Sequence, residues 1–205
     1  MTDNPGPARR VPREEVRRRL LAEAVRVFTE RGYDDARIED IAHAAGFTKG
    51  AVYSNFGGKR ELFGAVLGQG AEDELATVTA EIGGGGTDAL IERIAALITA
   101  RIVTDTGHGQ LGLEFAARAA RDEETRAVLA PMRRAQRDNA ARAVAEVSDR
   151  TGAGPAVPAE LAGLILHCLT NGLVNEHLAD PEGVTADVIE RAFIAVLTAL
   201  LPPPA

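Results

Sequence analysis

Apolar residues in this chain return every three or four positions and almost never every second one. That period puts side chains on one face of a helix, whereas a half-buried strand needs alternation. Val16, Leu20, Val25 and Phe28 form one such stripe; Leu90, Ile91, Ile94, Ile98 and Ile102 form another. The chain is therefore expected to be all-α, cut into segments by glycine and proline. Pro12 suits a first helical turn, and Glu14 and Glu15 favour the positive end of its dipole. Gly32 is expected to end that helix.

Two short helices should follow. The first spans about 37–45, with Asp34 or Asp35 as candidate caps, and Gly46 breaks the chain. Thr48 is placed to cap the second, over roughly 49–56. After Gly57-Gly58 a longer helix from Lys59 carries Leu62, Phe63, Val66 and Leu67 inward, until the run Gly83–Gly86 forces a loop. Thr87 then looks like a cap, Gly107–Gly109 an interruption, and Asp122-Glu123-Glu124 the start of a helix kinked or interrupted at Pro131. Two strongly apolar helices, about 158–178 and 187–201, precede Pro202-Pro203-Pro204.

Charge is unevenly spread. The net charge is −7, yet residues 1–60 hold twelve Lys and Arg against nine Asp and Glu, a surplus of +3. The remaining residues hold eleven against twenty-one, or −10. A basic head on an acidic body suits nucleic-acid binding. Six arginines between Arg9 and Arg19 belong to that head, and residues 1–11 are expected to be a disordered basic arm near DNA phosphates or a minor groove.

Several classes are disfavoured. No apolar run approaches the ~20 residues of a membrane span. The single Cys168 excludes an internal disulfide and a cysteine zinc cluster, and it fits a reducing cytoplasm. His43, His108, His167 and His177 are scattered without metal-ligand spacing, and the glycine run lacks the following Lys-Ser/Thr of a phosphate loop. No catalytic site, cofactor or metal is expected.

The stretch 32–63, GYDDARIEDIAHAAGFTKGAVYSNFGGKRELF, is a short helix, a glycine turn and a second short helix. Ile38, Ile41, Ala42 and Ala45 would pack the first, and Val52 and Phe56 would bury one face of the second. The opposite face carries Lys49, Gly50, Ala51, Tyr53 and Asn55, a set suited to a DNA major groove. Phe28, Gly32-Tyr33, Ile38, Ile41-Ala42, Ala45-Gly46, Gly50, Val52-Tyr53, Phe56, Lys59 and Leu62-Phe63 together resemble the tetracycline-repressor (TetR) family of bacterial transcription regulators.

That resemblance implies an N-terminal three-helix helix-turn-helix DNA-binding domain over 12–60. It also implies a helical ligand-binding and dimerisation domain over 61–205. It places Lys49, Gly50, Ala51 and Asn55 on the recognition helix, with Thr48, Tyr53 and Lys59 at phosphate or sugar. Where the family often has a Thr or Ser pair this chain has Ala36 and Arg37, and Arg37 can itself reach a phosphate. Ala51 replaces a frequent threonine, and Gly58 a frequent capping serine. The expected partners are double-stranded operator DNA, a second copy of the chain through the two C-terminal helices, and a small-molecule effector. Leu161, Leu164, Ile165, Leu169, Leu173, Ile189, Phe193, Val196, Leu197 and Leu200 are the apolar residues assigned to that pairing. Phe115, Met132, Gln136, Asn139, His167 and Asn171 are the candidate effector-binding residues: a few polar groups in an apolar cavity orient a small molecule. The expected function is a repressor released from its operator by a ligand. The alternatives are a regulator without a ligand, and a helical ligand-binding protein that has lost DNA binding.

Overall fold

The computed structural model describes residues 11–69, 86–152 and 154–202. The expected arm over 1–11, apart from Val11, lies outside the described residues. So do all but the last glycine of the 83–86 run, and Pro203 and Pro204. The described residues are helical with turns and contain no strand. The helices are α1 (Arg13–Asp35), α2 (Ile38–Ala44), α3 (Lys49–Phe56), α4 (59–69), α5 (Thr87–Thr104), α6 (Thr106–Ala119), α7 (Glu123–Thr151), α8 (Ala159–Ala179) and α9 (Ala186–Leu200). The chain divides into two compact units at Val66/Leu67.

In the first unit, Leu20, Ala24, Val27 and Phe28 of α1 are buried with Ile41 and Ala42 of α2, Val52 of α3, and Leu62 and Phe63 of α4. Phe63 stands edge-on to Phe28 at 4.7 Å and to Tyr33 at 5.1 Å. These rings tie the first turns of α4 into the head, so the compact unit runs to Val66, beyond the glycine pair. Val25 departs from the expected stripe and is exposed. One step of about 100° separates it from buried Ala24, enough to turn it off the core face.

Glycine sets two turns. Gly32 has φ 72°, which breaks helical geometry inside the span of α1, and Gly46 has φ 77° between α2 and α3. A side chain with a Cβ rarely adopts either. Arg37, not Asp34 or Asp35, takes the N-cap position of α2, and no side-chain cap bond forms there. Thr48 does hold the N-cap position of α3, but its hydroxyl caps nothing; its carbonyl accepts from Ala51 N at 2.9 Å. The exposed ends leave these donors to water.

In the second unit α7 packs along α8 and α5 along α9, around a core that includes Leu90, Ile91, Ile94, Val144, Ala162, Ile189 and Phe193. Gly86, not Thr87, is the N-cap of α5. The break expected at Gly107–Gly109 falls at Asp105, whose side chain accepts from His108 N and caps α6; the glycines lie inside that helix. An available cap outweighs the weak helix propensity of glycine. Asp122 caps α7 through Thr125 N at 2.9 Å. Pro131 lies inside α7, which continues to Thr151.

Candidate nucleic-acid interface and ligand cavity

Helix α3 turns Val52 fully inward and leaves Tyr53 46% exposed. Lys49, one turn earlier, stands 5.7 Å from the Tyr53 ring centre, and Thr48, Lys49, Gly50 and Ser54 are exposed beside it. Ala51 is half-buried, and Arg37 is exposed at the start of α2. A Cβ at Gly50 would meet nothing closer than Thr48 Oγ1 at 3.7 Å, so the head itself does not require glycine there. Lys49 Nζ pairs with Glu39 of α2 at 2.5 Å. The hydrogen bond from Lys49 holds the Glu39 carboxyl below its ordinary range, and the same bond raises the Lys49 ammonium.

Two of the expected contacts are committed within the fold. Asn55 is half-buried, its Nδ2 donating to Ala51 O at 2.8 Å, with its Oδ1 buried and lacking a hydrogen-bond partner. Lys59 Nζ donates to Asp34 O at 3.0 Å and lies 4.6 Å from the Tyr33 ring centre. Ser54 was not anticipated, although its position four residues after Gly50 puts it on the same face.

The arginine run is also partly absorbed by the fold. Arg13 and Arg17 reach the carbonyls of Ser54 and Asn55 at the C-terminal end of α3, at 3.4 and 3.3 Å. Arg17 also covers the Phe56 ring at 4.5 Å. Cations at that end satisfy carbonyls that lack intrahelical donors and oppose the helix dipole. Arg18 and Arg19 pair with Glu15. Arg9 and Arg10 lie outside the described residues.

The second unit contains a cavity of about 230 Å³ between α5, α6, α7, α8 and α9. Of the candidate effector-binding residues, Met132, Gln136, Asn139, His167 and Asn171 line it. Phe115 does not. It is fully buried away from that lining, because its position on α6 turns it into the core while Gly112 and Leu113 face the space. Sequence reading missed Arg133, which lies one turn from Gln136. Arg133 Nη1 donates to Asn171 Oδ1 at 2.5 Å and stands 3.4 Å from His167 Nε2. Arg101, Asp105 and His108 are further polar lining residues. Among the described residues no three His, Cys, Asp or Glu side chains gather as a metal site requires.

Burial, and after it the charges of Arg133 and Arg137, push the His167 imidazole down to about 4 from its ordinary 6.5. His167 is thus neutral near pH 7, which lets Nε2 accept from Arg133. The unfolded chain then binds the proton more readily than the folded one. The stabilisation is complete above about pH 6.5 and is lost as pH falls towards 4. Melting scans should show a smaller loss of Tm between pH 7 and pH 5 in His167→Gln than in the wild type. Equal losses would remove His167 as a source of acid sensitivity.

On α8, Leu161 and Leu164 are 45% and 41% exposed, and Cys168 is exposed on the same side. Ile189, Phe193, Leu197 and Leu200 are instead buried within the unit, because α9 lays that stripe on α5. The exposed apolar surface is therefore narrower than the set of residues the sequence assigned to pairing, and its most exposed leucines, Leu161 and Leu164, lie on α8.

Comparison with known proteins agrees with this division. The family described as bacterial regulatory proteins, tetR family, matches residues 20–66. The BetI-type transcriptional repressor C-terminal family matches residues 89–202. The HTH-type transcriptional regulator BetI of Brucella anthropi is 30% identical over 186 residues, covering 88% of this chain and 92% of that one. The HTH-type transcriptional regulator SrpR of Pseudomonas putida is 48% identical over 54 residues, or 26% of this chain. The match spans only 25% of SrpR, so it concerns the head alone. A Saccharomonospora viridis protein solved with choline has the same fold, with TM-score 0.64 and 20% identity. That likeness covers 88% of this chain and 94% of that one.

Proposed function

The chain belongs to the tetR family of bacterial regulatory proteins, and from that premise we propose that it is a cytoplasmic homodimer that binds operator DNA and releases it on binding a small molecule. The observation that carries the reading is α3: one face is locked by Val52, and the other presents Lys49, Gly50 and half-exposed Tyr53. A bare backbone at Gly50, with no local need for glycine, allows close approach to DNA. Thr48, Arg37 and Ser54 flank that face as phosphate contacts, whereas Lys59 and Asn55 act mainly by bracing the head. Phosphate contacts fix register and base edges give sequence readout.

One short helix reads few base pairs, so two copies about one DNA turn apart, ~34–36 Å or a multiple, are needed for specificity. The exposed leucines of α8 are the surface proposed to join them. A ligand that prefers a dimer of another spacing lowers DNA affinity by reciprocal linkage. A choline-bound neighbour and a BetI-type C-terminal domain support effector binding in the cavity, without fixing the effector.

Fluorescence anisotropy with duplexes from the region upstream of its own gene, at stated salt, tests DNA binding. Binding should fall steeply with salt. Leu161→Glu with Leu164→Glu should convert the dimer to a monomer in sedimentation and weaken DNA binding with it. Absence of binding at every salt concentration would favour a ligand-binding protein that no longer reads DNA. A variant that stays dimeric would move the interface elsewhere.

A further inference from the structure

Arg133 brings a charge into the cavity wall, and its partners there are neutral. Asn171 Oδ1 and His167 Nε2 both contact Nη1, which leaves the Nη2 and Nε donors available. Among the described residues no carboxylate pairs with Arg133, and Arg137 adds positive charge nearby. A desolvated cation with no anion is costly, and an arriving anion relieves that cost. The one carboxylate of the described lining, Asp105, already accepts through Oδ1 from His108 N. Gln136 stands one turn from Arg133, with a buried amide oxygen that has no hydrogen-bond partner. Rotating that amide presents two N–H donors at the same place.

The rest of the wall is aliphatic, including Ile94, Ile98, Leu129, Val144 and Leu166. Phe193 is the sole Phe, Tyr or Trp among the described lining residues. A quaternary ammonium is favoured by a cage of aromatic faces, which this lining does not supply.

We propose that the cavity binds an amphipathic carboxylate, its acid group held by Arg133 and Gln136 and its hydrocarbon chain lying against the aliphatic side chains of α5, α7 and α8. The guanidinium fork accommodates a carboxylate in two parallel hydrogen bonds, and burial of the chain adds affinity in proportion to apolar area. This names the chemical class of the effector in the regulator proposed above, and so rests on that reading for its biological meaning. Binding itself is measurable without DNA.

Calorimetric titration of the full chain with decanoate, decyltrimethylammonium and decanol, each below its micelle concentration, separates head-group chemistry from chain length. Decanoate should bind at least tenfold more tightly than either analogue and raise the melting temperature. Arg133→Gln should weaken decanoate at least tenfold and leave decanol unchanged, with Arg133→Lys between the two. Should Arg133→Gln fail to fold, the comparison of three ligands on the wild type still decides. Decyltrimethylammonium binding as tightly as decanoate, equal decanoate affinity in wild type and Arg133→Gln, or no decanoate binding by the folded chain would each overturn the inference. Decanoate that binds without altering operator affinity would sink effector release while leaving this site assignment standing. Operator binding without any decanoate binding would do the reverse.

Discussion

Gly163→Leu is expected to abolish the folded second unit, and Gly163→Ala to lower its melting temperature. Gly163 sits where α8 crosses α7, and a Cβ there would lie 2.6 Å from Arg137 O and 2.7 Å from Ala141 N. Both are backbone atoms of a helix and cannot swing aside as the end of a side chain can. Alanine has a helix propensity about 1 kcal/mol better than glycine. Against it, overpacking a tight contact costs roughly 1–3 kcal/mol, and this overlap is with backbone, so the clash wins. At roughly 2–4 °C per kcal/mol for a chain of this size, a net loss of several degrees is expected for alanine. Leucine should exceed what the packing of α7 on α8 can accommodate. Gly112→Ala is the control: a Cβ added there would meet nothing within 4 Å, so propensity acts alone and the melting point should rise. A rise in Gly163→Ala as well would mean that the two helices separate at little cost.

The largest expected effect on function comes from Lys49→Ala combined with Tyr53→Ala. Each lost base or phosphate contact is worth about 1–3 kcal/mol, and the proposed dimer would lose every contact twice. Operator affinity should therefore fall at least about 100-fold, and the salt slope should shrink by roughly one per lysine removed. Both side chains are exposed, so melting should change little. Glu39→Gln should act in the opposite sense. Its carboxylate holds Lys49 Nζ at 2.5 Å, and a negative charge beside this face repels phosphate. Binding at low salt should strengthen several-fold when it is removed. Unchanged affinity in the Lys49/Tyr53 variant would remove α3 from the DNA interface.

Much of the head was legible because its information is local. Gly46 and Gly32 mark positive φ, and Val52 and Phe56 mark the inner face of α3 at a spacing of four. Helix ends were less legible. Asp105 and Gly107–Gly109 competed to set one boundary, and the cap at Asp105 prevailed over glycine. Thr48 has the right position for a cap but makes no side-chain bond, because an exposed helix end can use water instead. Four cavity residues, Gln136, Asn139, His167 and Asn171, were visible as polar groups at helical spacing among apolar ones. Arg133 was not, since an arginine followed by a second one normally marks a solvated surface.

The sequence by itself determined that the chain is helical, where most helices begin, and which short segment resembles a DNA-reading head. Each of those depends on residues within a turn or two of one another, where period and backbone sterics are sufficient. Tertiary structure decided the rest. It placed Phe115 in the core, sent the apolar stripe of α9 onto α5, left Leu161 and Leu164 uncovered, and set Arg133 against Asn171. These choices compare alternative faces of several apolar helices packed together. Their contacts join residues tens of positions apart, and no local pattern carries that choice.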